Sequence, residues 1–388
     1  MLLWFTNSIV ALSMTVLLIV FLRKISYALA LVDHPNDRKR HECVIPLCGG
    51  IAIFSAFSFV ILSKGTGLLP TSFWAGIFVI LCIGVMDDRK ELSAATRLFA
   101  QLLAAGILIV PLAGSSIYVA NMLPLAFVDT SAPILMIIAI LFVVGLVNSW
   151  NMIDGVDGLA GGCAAFSLFW IALTASWKGL ANLDLSCFVL LAAVCGFLLF
   201  NMRSRWLARA NIFLGDAGST ALGATIAYLL ITLSREGEIA FPVLLWIVIV
   251  PVTDTISLIV RRLYSGRNPL TADRWHLHHL LLDQAYSHST TTNIIVASSA
   301  LCGGIGFIGL IVGVPNYAMT FGLLFPVAIH SAFVFAATGF PSHDKPHPVK
   351  IPQFNPIAPM LLRPELDKSF VASQQPVQPS PNILSDAV

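Results

Sequence analysis

The sequence predicts an all-α polytopic integral membrane protein, with its amino terminus outside and its carboxyl terminus inside. Of the 388 residues, 57% are hydrophobic and 11% are charged, which leaves too few charged side chains to cover a soluble protein of this size. Eleven apolar runs approach the length of about 20 residues that a helix needs to cross a bilayer. These runs lie near residues 2–22, 47–63, 69–86, 96–113, 132–150, 158–177, 184–201, 217–234, 239–260, 293–313 and 317–338.

The predicted orientation rests on the basic residues, because cytoplasmic loops of membrane proteins retain Lys and Arg. With the amino terminus outside, 19 of the 22 basic residues lie inside, and Lys64, Lys178 and Arg235 lie outside. The formal net charge of +2 gives no case for nucleic-acid binding. We expect residues 1–338 to form the transmembrane domain, and residues 339–388, rich in Pro, Ser and Gln, to form a disordered cytoplasmic tail.

A polar stretch from Asn148 to Leu159 separates the fifth and sixth apolar runs. If this stretch is helical, Asn148, Asn151, Asp154 and Asp157 follow each other at three-residue spacing and share one face. Two amides and two carboxylates on one face at a membrane surface indicate a solvent-exposed, ligand-binding site.

Two further acidic motifs lie at predicted helix ends. Asp87 and Asp88 end the third run, where negative charge opposes the helix dipole, so a metal ion or a transferred proton would explain them better than a merely solvated helix end. Asp216 and Ser219 open the eighth run, where free backbone N–H groups favour an anion such as phosphate. An ordinary N-cap by either side chain is the alternative there.

The first inside loop contains Asp33, Arg38, Lys39 and His41. Its basic groups are suited to collect an anionic substrate, since guanidinium and ammonium groups pair with phosphate oxygens. A positive-inside anchor with a proline turn explains the same loop equally well.

The ninth run and the loop after it contain the remaining candidates. Asp254 lies inside the run, and an ionisable residue in a span usually marks function. In the loop, His276 and His279 share a face if the segment is helical, and His278 then points elsewhere. Neither a cysteine nor a spaced acidic partner completes a zinc site in this loop.

Five motifs in this order resemble the polyprenyl-phosphate N-acetylhexosamine-1-phosphate transferases, and most closely their bacterial WecA-type branch. The resemblance covers roughly residues 1–338 and rests on the segments around Asp33–His41, Asp87-Asp88, Asn148–Leu159, Phe213–Ser219 and Asp273–His279.

The resemblance implies transfer of N-acetylhexosamine 1-phosphate, favouring N-acetylglucosamine 1-phosphate, from a UDP-sugar to undecaprenyl phosphate. UMP is released, and O-antigen, common-antigen or teichoic-acid synthesis begins. It also implies a bacterial inner-membrane location, an active site on the cytoplasmic face and a Mg²⁺ cofactor, with Mn²⁺ as a substitute; a homodimer is left open. The same reaction with another UDP-N-acetylhexosamine is one alternative. A proton-coupled transporter, suggested by Asp254, is the other.

Residue roles are carried over from the same resemblance. Asp216 and Asn151 are expected to hold the magnesium ion, and the catalytic residues are Asp87, Asp88 and Asp216, with Asp87 deprotonating or orienting the lipid phosphate. The remaining motif residues are expected to bind substrate, and they are Asn148, Asp154, Asp157, Arg274, His276, His278, His279, Asp33, Arg38 and His41.

Overall fold

The computed structural model describes residues 2–34, 44–65, 67–112, 132–266 and 275–338, and these are mainly helical. In chain order the helices are α1 (Leu2–Ala28), α2 (Gly49–Leu62), α3 (Thr71–Arg89), α4 (Ala94–Ile109), α5 (Ala132–Ile153), α6 (Leu159–Trp177), α7 (Ala181–Asn201), α8 (Gly215–Gly237), α9 (Phe241–Leu245), α10 (Ile249–Tyr264), α11 (Leu277–Asp283), α12 (His288–Val312), α13 (Asn316–Gly322) and α14 (Leu324–Thr338). The all-α membrane fold predicted from the sequence is confirmed.

Each of the eleven predicted apolar runs coincides with helix in the described part of the chain. Nine segments there are long and apolar enough to cross a membrane, with α13 and α14 counted as one. The second run forms the shorter α2, and the ninth is divided between α9 and α10. At the division, the Trp246 indole N–H donates to the carbonyl oxygen of Met319, 3.0 Å away. The in–out orientation stays a prediction.

Helix α8 is the centre of the bundle. It packs against α2, α3, α5 and α6, and nearly all of its residues are buried. Small residues allow this close packing, because a Cβ atom on Gly50 would overlap the backbone of Gly218, and a Cβ atom on Gly84 would overlap the backbone of Ala217. The first turn of α8, which contains Asp216, therefore lies among the ends of its neighbours.

Several helix ends meet at this end of the bundle. Helices α3, α5 and α7 end here, and α2, α4, α6 and α8 begin here. The Asn201 side chain ties two of the loops together, because its Oδ1 accepts from the Gly158 N–H at 2.8 Å and its Nδ2 donates to the Ile212 carbonyl at 2.9 Å. The acidic and amide motifs predicted to lie on one side of the membrane are thus at one end of the helices.

A short antiparallel pair of strands, β1 (Val32–Asp33) and β2 (Ile45–Pro46), joins the first loop to the same end. The Phe213 N–H, just before α8, donates to the Pro46 carbonyl at 2.9 Å. Asp33 therefore lies on a strand that is hydrogen-bonded, through β2, to the loop leading into α8. Arg38, His41 and the predicted tail at 339–388 lie outside the described residues.

Candidate active site

Asp216 and Asn151, the predicted metal ligands, are in direct contact. Asn151 Nδ2 donates to Asp216 Oδ1 at 2.7 Å and also lies 3.3 Å from Ser219 Oγ. Asn151 is near the end of α5 and Asp216 is in the first turn of α8, so the packing of these two helices makes the pair. Two oxygen atoms of this pair are suited to bind a hard cation. They are the side-chain oxygen Oδ1 of Asn151 and the second carboxylate oxygen of Asp216.

Asp88 binds the amino terminus of α8 from the end of α3. Its Oδ1 accepts from the Asp216 N–H at 2.8 Å, and its Oδ2 accepts from the Ala217 N–H at 3.2 Å. The expectation that these N–H groups are free for phosphate is wrong, because the Asp88 carboxylate occupies two of them. The alternative N-caps are wrong too, since the cap position is Leu214 and no side chain of α8 caps it.

Asp87 lies beside the Asp216 carboxyl, at the polar end of a small cavity between α3, α4 and α8. Its Oδ1 accepts from the Leu92 N–H at 2.7 Å, and its Oδ2 lies 3.3 Å from Arg97 Nη1. The remaining cavity walls are mainly apolar and comprise Ile80, Ile83, Gly84, Ala100, Gln101 and Thr220. The cavity therefore has carboxylate and guanidinium groups at one end and mainly apolar side chains along its walls.

The expectation that four residues of the central stretch share one helical face is only partly met, because α5 ends at Ile153. Asn148 lies on α5 and donates through Nδ2 to Gln101 Oε1 at 2.7 Å. Asp154 lies in the turn after the helix, near the carboxyl of Asp216. Desolvation, with the charges of nearby carboxylates, raises the pKa of Asp154 from 3.8 to about 8.

Asp157 is directed to other partners. Its Oδ2 accepts from Arg203 Nε at 2.6 Å and from the Ala210 N–H at 3.1 Å, and its carbonyl oxygen accepts from the Thr292 hydroxyl at 2.9 Å. The side chain thereby joins the loop before α6 to the loop between α7 and α8. This geometry favours a role in holding the loops over direct substrate contact.

The three histidines of the His-Leu-His-His segment form one cluster. The His278 ring centroid lies 4.2 Å from that of His279 and 5.5 Å from that of His276. The expectation that His278 points elsewhere is wrong, because α11 begins only at Leu277 and its first turn brings the rings together. The His278 ring packs so closely on Gly155 that a Cβ atom there would overlap it. Arg274 lies outside the described residues.

Several residues at the site were not predicted from the sequence. They are Arg97 beside Asp87, Gln101 beside Asn148, and Arg203 beside Asp157. Gln101 carried a usable signal, since a polar side chain inside an apolar run needs a partner in the protein. The two arginines carried only the general signal of basic residues on the inside.

Together the fold and these contacts define a polytopic membrane protein whose carboxylates, amides and histidines gather at one end of the helix bundle. Residues 70–234 match the family described as Glycosyl transferase family 4. The chain belongs to this family, and the resemblance seen in the motifs is confirmed.

Three relatives, each named undecaprenyl-phosphate alpha-N-acetylglucosaminyl 1-phosphate transferase, extend the similarity beyond that region. The protein of Escherichia coli (strain K12) is 31% identical over 302 residues, which cover 75% of this chain and 80% of that protein. The Yersinia pestis protein is 34% identical over 299 residues, covering 74% and 79%. The Haemophilus influenzae protein is 33% identical over 322 residues, covering 81% and 90%.

Proposed function

We propose that this protein transfers N-acetylglucosamine 1-phosphate from UDP-N-acetylglucosamine to undecaprenyl phosphate and releases UMP. The observation that carries the proposal is the cluster of Asp87, Asp88 and Asp216 with Asn151 at one end of the bundle. The names of relatives 31–34% identical to this chain agree with it. A lipid phosphate oxygen would attack the sugar-bearing phosphorus of the donor, and the bond from that phosphorus to UMP would break.

The electrostatics of the cluster favour a bound divalent cation. Three carboxyls lie close together at the ends of apolar helices, and such groups repel each other unless positive charge is present. In the described residues, no group of three or more His, Cys, Asp or Glu side chains is placed to hold a metal ion. Mg²⁺ needs fewer protein ligands, because it keeps waters and uses one or two protein carboxylates with substrate phosphates.

Asp216 and Asn151 are the residues that would hold the cation. Their 2.7 Å hydrogen bond leaves the Asn151 amide oxygen and one carboxylate oxygen for this role. Asp88 would act by fixing the first turn of α8, and with it Asp216. The cation, when bound, would neutralise the charge of the donor diphosphate.

Asp87 and its cavity are suited to the acceptor. The apolar walls from α3 and α4 would contact the first part of the polyprenyl chain, and Arg97 would attract its phosphate. Asp87 would then orient that phosphate or accept its proton. Because the second ionisation of a phosphate lies near neutral pH, orientation is the larger part of this role.

The histidine cluster and Asp154 are suited to the donor. His276, His278 and His279 lie next to the loop that contains Asp154 and Gly155. The imidazole nitrogens would form hydrogen bonds with the diphosphate and with the hydroxyl groups of the sugar. We propose that this site faces the cytoplasm, where nucleotide sugars occur.

The test is UMP release by detergent-purified protein given undecaprenyl phosphate, Mg²⁺ and each of several UDP-N-acetylhexosamines. Lipid-dependent release with UDP-N-acetylglucosamine, abolished by EDTA and by Asp216→Asn, is the expected result. Release that is independent of the lipid would contradict the proposed acceptor. Release with a different sugar alone would retain the reaction and replace the donor.

A further inference from the structure

Helix α10 holds the backbone on both sides of His276. Asp254 and Arg261 are seven residues apart on α10, so they lie on one face, two turns apart. Asp254 Oδ1 accepts from the Leu277 N–H at 2.9 Å, and Arg261 Nη2 donates to the Trp275 carbonyl at 2.6 Å. A negative and a positive side chain thus bind the N–H and the carbonyl that flank one histidine.

Asp254 also binds the imidazole of His276. Its Oδ2 lies 3.1 Å from His276 Nδ1, and both side chains are buried. An ionised carboxylate only accepts hydrogen bonds, so Nδ1 must carry the proton. The other ring nitrogen, Nε2, would then be the one that accepts a hydrogen bond from a ligand.

The last helix completes the environment of Asp254. His330 of α14 is buried, and its Nε2 lies 3.4 Å from Asp254 Oδ1. A carboxylate buried inside a helix bundle is costly unless donors surround it. Two imidazoles and one backbone N–H supply those donors here.

The histidine that Asp254 holds is connected to the catalytic end of the bundle. The rings of His276 and His278 are parallel to within 7°, and the His278 ring packs on Gly155. Gly155 follows Asp154, which lies near the Asp216 carboxyl. A shift of His276 would therefore change contacts at the loop beside the carboxylate cluster.

We infer that Asp254 is a positioning residue for the donor-binding histidines, and that His330 supports it from α14. The inference rests on the proposed function. It also gives Asp254 a role other than the proton relay of a transporter, because its partners belong to the histidine segment.

The decisive variant is Asp254→Asn in the full-length protein. Asparagine has the same shape and still accepts from the Leu277 N–H, but its amide N–H group faces His276 Nδ1 and requires the other tautomer. We expect kcat/KM for UDP-N-acetylglucosamine to fall about 10- to 100-fold, as for other partners that orient a functional histidine. KM for undecaprenyl phosphate should stay near the wild-type value.

Asp184→Asn is the matched control. Asp184 is a buried acid in another helix, α7, where it accepts from the Ser176 hydroxyl at 3.0 Å. This variant should retain wild-type kcat/KM. His330→Phe should lower activity in the same direction as Asp254→Asn, but less.

A double-mutant cycle separates positioning from general stability. In a His276→Ala background, Asp254→Asn should cause almost no further loss of kcat/KM, because its effect acts through the imidazole. Losses that multiply independently would overturn the inference, as would wild-type kcat/KM in Asp254→Asn.

Failure of the proposed function is distinguished by a second readout. If the wild-type protein releases no UMP from any donor, the proposed function fails, and hydrogen exchange of Leu277–Asp283 then tests the positioning itself. Asp254→Ala should raise exchange there, while Asp184→Ala should not. Unchanged exchange in Asp254→Ala would overturn the inference.

Discussion

Replacing Asp88 with alanine should both destabilise the protein and abolish activity. Its two carboxylate oxygens accept from the N–H groups of Asp216 and Ala217 at 2.8 and 3.2 Å. Alanine leaves both donors without this acceptor at the buried start of α8. The first turn of α8, and therefore the Asp216 carboxylate, would lose its fixed position.

The magnitude follows from these two bonds. A buried N–H group left without an acceptor costs about 1–3 kcal/mol, so two cost about 2–6 kcal/mol. Removing one carboxylate from beside Asp216 and Asp87 relieves repulsion and offsets part of this cost. For a chain of this length we expect the melting temperature to fall by about 2 to 7 °C.

Thermal unfolding in detergent, followed by intrinsic fluorescence, measures this effect, and UMP release measures activity. Asp88→Asn, which retains one acceptor oxygen, should fall between wild type and Asp88→Ala. Asp87→Asn is the contrast, because it keeps an acceptor for the Leu92 N–H and should lose activity with a smaller change in melting temperature. If the Asp88→Ala protein has the same melting temperature as the wild type, Asp88 does not stabilise the first turn of α8.

Three further predictions concern the loops around the site. Asp157→Asn and Arg203→Gln should lose stability non-additively, with a coupling of about 0.5–3 kcal/mol, because the side chains lie 2.6 Å apart; additive losses would contradict the pairing. Gly155→Ala should lower stability and activity, because the added Cβ atom would overlap the ring of His278. Gly106→Ala is the control and should lower neither, because no atom lies within 4 Å of the Cβ position there. Equal effects of the two substitutions would argue against the contact between Gly155 and His278. The pKa of Asp154 is raised from 3.8 to about 8, so the folded protein retains a proton that the unfolded chain releases, and stability is lost as pH rises. Without metal, the melting temperature should therefore fall as the pH rises from about 4 to about 8, and Asp154→Asn should flatten this slope. A parallel slope in the variant would count against the shift.

The sequence predicted the membrane helices well because hydropathy measures the environment that a segment requires. Each of the eleven apolar runs coincides with helix in the part of the chain that the structure describes. Hydropathy does not report the path of the backbone, so it missed the division of the ninth run between Leu245 and Ile249. The residues of that division are themselves apolar and buried, and they leave the mean of the run unchanged.

The candidate site could be predicted as a set of residues but not as a set of contacts. Asp87, Asp88, Asn151 and Asp216 do lie together, as their position at helix ends on one side suggested. Which carboxylate binds which donor depends on helix packing. The spacing of residues within one segment therefore could not predict that Asp88 accepts from the backbone N–H groups of α8.

His330 shows a different limit. It is an ionisable residue inside the last apolar run, and such residues usually have a partner in the protein. That partner, Asp254, is 76 residues away in the chain. One sequence alone shows that a partner is needed, but not which residue it is.

The central position of α8 has a consequence for how the protein is made. The helices that surround it most closely, α2, α3, α5 and α6, all precede it in the chain. Because the amino-terminal part of a chain is synthesised first, these four neighbours are made before α8. Asp216 is the last member of the carboxylate cluster to be synthesised, and it lies in the first turn of α8. Synthesis of this one helix therefore supplies both the last carboxylate of the site and the central helix of the bundle.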